Sequence, residues 1–280
     1  MGGMGIGDGW ARYWRDGSRP LEAMHAHFLD HVYPPHSHDS YSFGITDAGA
    51  QRFRCRGAAH TSGAGMVMVF NPDEVHDGRA AAELGYQYRI VHIGPTLLRE
   101  ILTDAADGRI TAMPLFPQPV LTDPVLAGAL ARLHSALSCQ ADPLVRDERL
   151  SAAVTAIAHL GAAHPPRTRS LTGGAQRRTA VHARELIREA YLRPIPAEEL
   201  ADSVGCSRFA LYRAFRAEFG LAPSEYQRQL RLRHARSLLT AGAAPAEAAA
   251  AAGFADQAHF GRWFQRMYGI TPGTFVRAAI

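Results

Sequence analysis

Apolar and polar positions alternate over much of the first hundred residues; from about residue 123 the apolar ones recur at helical spacing. Residues 51–56 alternate strictly, with Phe53 and Cys55 on one face and Arg52, Arg54 and Arg56 on the other, as in a strand with one side against a core. Residues 66–70 form a continuous apolar run closed by Asn71-Pro72, which predicts a strand buried on both faces, and residues 86–93 predict another. Gly44, Gly49, Gly57, Gly63, Gly65, Gly78 and Gly85 punctuate residues 22–93 at turn spacing, so the strands predict a compact antiparallel barrel.

Leu126, Leu130, Leu133 and Leu137 then follow at intervals of four, three and four, and Leu150, Val154 and Ile157 continue the habit after Asp142-Pro143. This predicts an antiparallel helix pair whose stripe either covers the barrel or meets a second protomer. Residues 163–176 hold Pro165-Pro166, several Thr and Ser, and Gly173-Gly174, a composition that packs poorly. They predict a linker between a domain at 1–162 and another at 177–280. The fold class expected is α+β in two domains, an N-terminal antiparallel barrel with a helical pair and an all-α C-terminal domain.

Beyond the linker the sequence repeats itself at an offset of 49 residues. Ser207, Phe215, Phe219, Gly220, Pro223 and Tyr226 recur as Asp256, Phe264, Tyr268, Gly269, Pro272 and Phe275. Each copy is punctuated as a helix-turn-helix. Leu200, Ala201 and Val204 form an apolar face ended by Gly205, and Ser207 is placed to cap a second helix carrying Leu211, Phe215 and Phe219 inward. In the second copy residues 246–252 stop at Gly253, and Asp256 caps a helix with Phe260, Phe264 and Tyr268 inward. A period of 3.6 leaves Arg208, Phe209, Tyr212, Arg213 and Arg216 outward in the first copy, and Gln257, Ala258, His259, Arg262 and Arg266 in the second. Arg can bond guanine and Gln adenine in two-toothed fashion, and apolar edges can meet the thymine methyl, so these faces suit base edges in a duplex. Phe209 and Tyr212 have the alternative of packing on the connecting helix.

Charge supports the same partner. Residues 167–280 hold 17 Arg against 9 Asp and Glu, whereas residues 1–166 hold 13 against 17. An Arg-rich half suits a polyanion, because neutralised phosphates release counterions. Cys55, Cys139 and Cys206 are scattered with no CxxC pair, so reduced cytosolic thiols are expected rather than a disulfide framework or zinc site. No apolar run reaches bilayer-spanning length, and residues 1–9 lack the plan of a signal peptide, so no membrane partner and a cytoplasmic location are expected.

Residues 179–277 resemble the DNA-binding domain of the AraC/XylS family. The resemblance rests on Gly253-Phe254-Ala255-Asp256-Gln257-Ala258-His259-Phe260, Phe264 and Tyr268-Gly269-Ile270-Thr271-Pro272. It implies seven helices, residues 223–239 as a stiff connector, and two recognition helices entering major-groove segments about 34 Å apart. Ala248 stands where that family usually has a larger aliphatic, and Pro245 where Ile is common. Residues 25–93 resemble the family's cupin-like effector domain, through Pro35-His36-Ser37-His38 and Phe70-Asn71-Pro72-Asp73-Glu74-Val75-His76.

In metal-binding cupins two His of an HxH, a nearby Glu and a later His share one ion. His36, His38 and His76 would supply three ligands, but Ser42 and Phe43 occupy the place of the Glu. The preferred reading is therefore a small polar effector at the barrel mouth, met by His36, His38, Tyr41, His76 and Arg89, with no cofactor or metal. A structural role stays open for each histidine. The function expected is a sequence-specific, non-enzymatic transcription regulator. Its expected partners are a double-stranded DNA operator, a small-molecule effector, a second copy bound through the N-terminal half, and RNA polymerase, recruited or blocked. The alternatives are a metal-dependent cupin enzyme with a DNA-binding tail, and a C-terminal protein-interaction module.

Overall fold

The period-2 pattern of the first half and the period-3.6 pattern of the second fold into two units, Met1–Arg169 and Ser170–Ile280. The computed structural model describes residues 4–6, 9–106, 112–139, 141–163 and 173–277. In the first unit the strands are β1 (Met4–Ile6), β2 (Gly9–Arg15), β3 (Leu21–Phe28), β4 (Tyr33–His36), β5 (Tyr41–Cys55), β6 (Ala58–Gly63), β7 (Val67–Phe70), β8 (His76–Ala80), β9 (Tyr86–Ile93) and β10 (Val120–Leu121). The helices there are α1 (Pro95–Ala105), α2 (Pro124–Ser138) and α3 (Pro143–Leu160). The second unit holds α4 (Gly173–Ala190), α5 (Ala197–Ser203), α6 (Arg208–Phe219), α7 (Pro223–Thr240), α8 (Pro245–Ala251), α9 (Gln257–Tyr268) and α10 (Pro272–Arg277).

The strands run β1-β2-β3-β9-β5-β7-β10, all antiparallel; β5 also pairs β6 and β8, and β8 pairs β4. Fifteen residues long, β5 belongs to both halves of the barrel. Alternation along it sends Tyr41, Phe43 and Ile45 into a core with α1, α2 and α3. Phe53 and Cys55, with Phe28, Met68, Phe70, Tyr86, Tyr88 and Ile90, form a second core inside the barrel. The apolar run β7 is split between the two, Val67 and Val69 outward and Met68 and Phe70 inward, as a strand buried on both faces should be. A Cβ at Gly44 would stand 2.7 Å from the Met68 Cε, so any larger residue there would push that inward methionine aside.

The leucine stripe of α2 lies on the barrel. Leu126, Leu130 and Leu133 are at most 1% exposed, which commits the stripe to covering the sheet and not to a second protomer. Helix α1 was not expected: Leu97, Leu98, Ile101 and Leu102 give it an apolar face, and Pro95 starts it. Of the expected linker at 163–176, residues 164–172 lie outside the described residues. From Gly173 the chain is helical, so α4 begins before the boundary expected at 177. Glycine costs little in a first turn whose N–H groups have no intrahelical partner, and buried Ala180, Ala183 and Ile187 anchor the helix.

Candidate functional site

Both repeats of the second unit fold as the spacing predicts. Ser207 lies in extended backbone and its Oγ accepts from the Ala210 N–H at 3.1 Å, capping α6; the Asp256 carboxylate accepts from the His259 N–H at 2.6 Å, capping α9. Gly220 and Gly269 close the two helices in the left-handed region at φ 71° and 77°. Leu211 and Phe215 bury α6 against α4 and α5, while Phe260 and Phe264 bury α9 against α7 and α8. The five alanines at residues 248–252 let α8 lie close to its neighbours, with Ala248, Ala249 and Ala252 at most 1% exposed.

The two outward faces are not equally open. On α9, Gln257, Ala258, Arg262 and Arg266 are exposed and His259 is half-buried. On α6 only Arg216 of the expected five is exposed; Arg208, Phe209, Tyr212 and Arg213 are half-buried. Tyr212 leans on the Leu211 and Phe215 cluster, correcting its placement on a fully outward face. The Arg213 guanidinium lies 4.8 Å from the Phe209 ring centroid, which holds that arginine close to the helix. On α9, Trp263 donates to His259 Nε2 at 2.8 Å, which puts that ring's own proton on Nδ1. Arg228 of α7 stacks 3.7 Å over Trp263, and Arg266 lies 5.4 Å away.

Two residues absent from the sequence-based expectations join the repeats. Arg231, 3% exposed on α7, donates to the Tyr191 and Arg193 carbonyls at 2.7 and 3.1 Å, and to the Gly253 carbonyl at 3.0 Å. Gln227 also donates to the Tyr191 and Arg193 carbonyls. Arg231 thus ties the α4–α5 connection to the turn of the second copy. Gly253 sits at φ 76°, and a Cβ there would stand 2.7 Å from the Leu192 carbonyl. An Arg amid apolar residues on a helix was the only signal available for this staple.

In the first unit the structure brings together His36, His38 and His76, each offering one ring nitrogen within 4.8 Å of the other two. His36 Nδ1 and His76 Nδ1 face the carbonyls of Pro34 and Glu74 at 2.7 and 2.9 Å, so both rings donate from Nδ1 and keep an Nε2 lone pair. His92, which sequence reasoning missed, joins them with its ring 4.8 Å from that of His38, and its Nδ1 is 2.8 Å from the buried Ser42 Oγ. Burial, the largest cause, pushes the His76 and His92 pKa values down to about 4 and that of His38 below its usual value. The cavity they share with Met24, Phe53, Met68, Phe70, Tyr88 and Ile90 measures about 80 Å³.

Tyr41 and Arg89 are not part of that cavity, which corrects two expected ligand positions. The Tyr41 ring lies in the helix-facing core, with its hydroxyl donating to the Pro114 carbonyl at 3.0 Å. On β9, Tyr88, Ile90 and His92 face inward, so alternation turns Arg89 to the opposite side. There its guanidinium donates twice to the Asp47 carboxylate, Nε to Oδ2 at 2.8 Å. This pair lies in a cleft of about 790 Å³ between the outer sheet face and α2.

No helix among the described residues is long and apolar enough to cross a membrane. Residues 20–154 match the AraC-like ligand binding domain, and residues 200–278 match a helix-turn-helix domain. The chain is 24% identical over 85% of its length to 85% of a Bacillus subtilis protein named as the uncharacterized HTH-type transcriptional regulator YbfI. It is 37% identical over 33% of its length to 29% of the Rhizobium meliloti HTH-type transcriptional regulator GlxA. A solved structure of a probable AraC family transcriptional regulator from Rhodopseudomonas palustris is 31% identical over 36% of this chain and 96% of that one, with a TM-score of 0.35.

Proposed function

Because the chain belongs to the AraC family of transcription regulators, pairing that family's ligand-binding domain with a helix-turn-helix DNA-binding domain, we propose that it is a ligand-gated, sequence-specific regulator working in the cytoplasm as a homodimer. The observation that carries the DNA-reading part is the pair of capped helices α6 and α9, fixed on one connector by Arg231. Arg213, Arg216, Arg262 and Arg266 supply charge and two-toothed donors, Gln257 suits adenine, and Ala258 offers an apolar edge. Arg208, Phe209, Tyr212 and His259 frame those contacts from half-buried positions. A ligand acts in such a protein only through different affinities for DNA-competent and incompetent arrangements. Binding near the promoter would then recruit or block RNA polymerase.

The test is binding of the full chain to duplex DNA from the region beside its own gene, over a series of salt concentrations. Specific binding is expected, falling steeply with salt, and Arg262→Ala should weaken it by about 1–3 kcal/mol and relax base preference locally. Unchanged specific affinity in Arg262→Ala would remove that residue from the interface.

A second reading concerns the barrel, and the convergence of His36, His38 and His76 favours it. The residues fit a first-row divalent ion, which three neutral imidazoles suit. When bound, such an ion would supply Lewis acidity and cross-link β4 to β8. His36 and His76 would hold it through Nε2, with Nδ1 kept protonated by the Pro34 and Glu74 carbonyls. At about 80 Å³ the cavity is well below the usual size of a site for small organic molecules, which weighs against an enzymatic barrel. Metal content of chain purified without chelator checks this: a stoichiometric ion lost in His76→Gln supports it, and metal-free protein that ignores added zinc, manganese and iron refutes it.

A further inference from the structure

Size separates two of the hollows of the first unit. Ligand pockets for small organic molecules run to roughly 300–1,000 Å³. The barrel cavity, at about 80 Å³, falls well short, while the outer cleft, at about 790 Å³, lies within that range. Five elements line the cleft, with Arg12 and Trp14 from β2, His25 from β3, Asp47 from β5, Arg89 from β9 and His134 from α2.

Its charges are unevenly matched. Arg89 is neutralised by the two bonds to Asp47, whose carboxylate also lies 3.6 Å from His25 Nε2. His134 stays uncharged near neutrality, its pKa pushed down to about 4 chiefly by burial, and burial lowers that of His25 as well. Arg12 is exposed, lies 5.5 Å from the Trp10 ring centroid, and has no carboxylate partner among the described residues. One positive charge is therefore left over. The walls are aromatic: Trp14 meets the His134 ring edge-on at 5.3 Å, and the His25 ring lies 5.8 Å from that of His134. Ser135, Ser138 and Gln87 add hydrogen-bonding groups.

We propose that this outer cleft, and not the barrel cavity, binds the regulatory ligand, and that the ligand is a ring-bearing organic monoanion with its acid group on Arg12 and its ring against Trp14. The proposal rests on the reading of the chain as a ligand-gated regulator and names the ligand's class and place. Because the cleft wall includes α2, a ligand there bears directly on the helix that covers the barrel.

The chain contains three tryptophans, Trp10, Trp14 and Trp263, the last in the other unit. Indole N–H signals of the full chain, assigned with single Trp→Phe variants, can be followed while phenylacetate is titrated to about 20 mM, a range suited to so small a ligand. The Trp14 signal should shift saturably and that of Trp263 should stay in place. Phenylacetamide, alike in shape but uncharged, should bind at least tenfold more weakly, and Arg12→Gln should weaken phenylacetate at least tenfold. No Trp14 shift, equal binding of the amide, or shifts that survive Arg12→Gln but vanish in His76→Gln would each overturn the proposal. Duplex binding keeps the two failures apart. A chain that binds its operator without responding to phenylacetate sinks this inference alone, whereas one that binds phenylacetate and no duplex sinks the regulator reading.

Discussion

Arg231 joins the two halves of the C-terminal unit from a buried position on α7. Three backbone carbonyls, from Tyr191, Arg193 and Gly253, accept from its buried guanidinium, and no aliphatic side chain can replace those donors. Arg231→Met should therefore destabilise the C-terminal unit by about 3 kcal/mol in urea unfolding; an unchanged midpoint would show the staple to be idle. His134 gives a pH-dependent counterpart in the other unit. It is 3% exposed, donates from Nε2 toward the Met24 carbonyl at 3.2 Å, and its pKa falls from 6.5 to about 4 on folding. A depressed histidine binds protons more readily when unfolded, so its contribution is whole above pH 6.5 and is lost as pH drops from there toward 4. The thermal midpoint of the N-terminal unit should accordingly fall between pH 7 and pH 5, and His134→Gln should flatten that fall. Equal slopes would exclude His134 as a source. At this scale the sequence was half legible: the motif spacing identified His36, His38 and His76, yet Tyr41, Arg89 and His92 were missed or misplaced. In residues 86–93 the inward set Tyr88, Ile90 and His92 and the outward set Gln87, Arg89, Val91 and Ile93 both contain apolar residues. Only the pairing of β9 with β3 and β5 shows which side is the lumen.

The elements of the second unit were the most legible, because their limits are set by local chemistry. A capping hydroxyl or carboxylate, a glycine in the left-handed region and a 49-residue echo need no tertiary knowledge. Ser207→Ala and Asp256→Ala should each cost about 1 kcal/mol of stability and loosen duplex binding through the helix they cap. A stability change near zero for both would mean that packing alone holds α6 and α9. The first unit was harder to read at its ends. Strand β2 mixes Trp10, Arg12 and Trp14 on its outer face with Ala11, Tyr13 and Arg15 on the other, so no clean polar side marks it. Helix α1 follows directly on β9 through Gly94, whose place beside Pro20 leaves no space for a side chain. The leucine stripe of α2 was plain in the sequence, but its partner was not, since a sheet and a second helix ask for the same spacing.

As a whole the molecule divides its tasks between two packed units with opposite charge balance, an acidic one that holds the hollows and a basic one that holds the duplicated helices. That division was legible from charge and periodicity together. The outer cleft proposed for the ligand was not, because cavity size depends on how a helix and a sheet are spaced. The proposed DNA reading needs α6 and α9 to lie at once in successive major-groove segments, and hydroxyl-radical footprinting of the full chain on its operator tests this directly. Two protected patches are expected on one face of the duplex, centred about 10–10.5 base pairs apart, with Arg262→Ala weakening one of them selectively. A single patch, or two whose spacing departs from a helical turn, would contradict it.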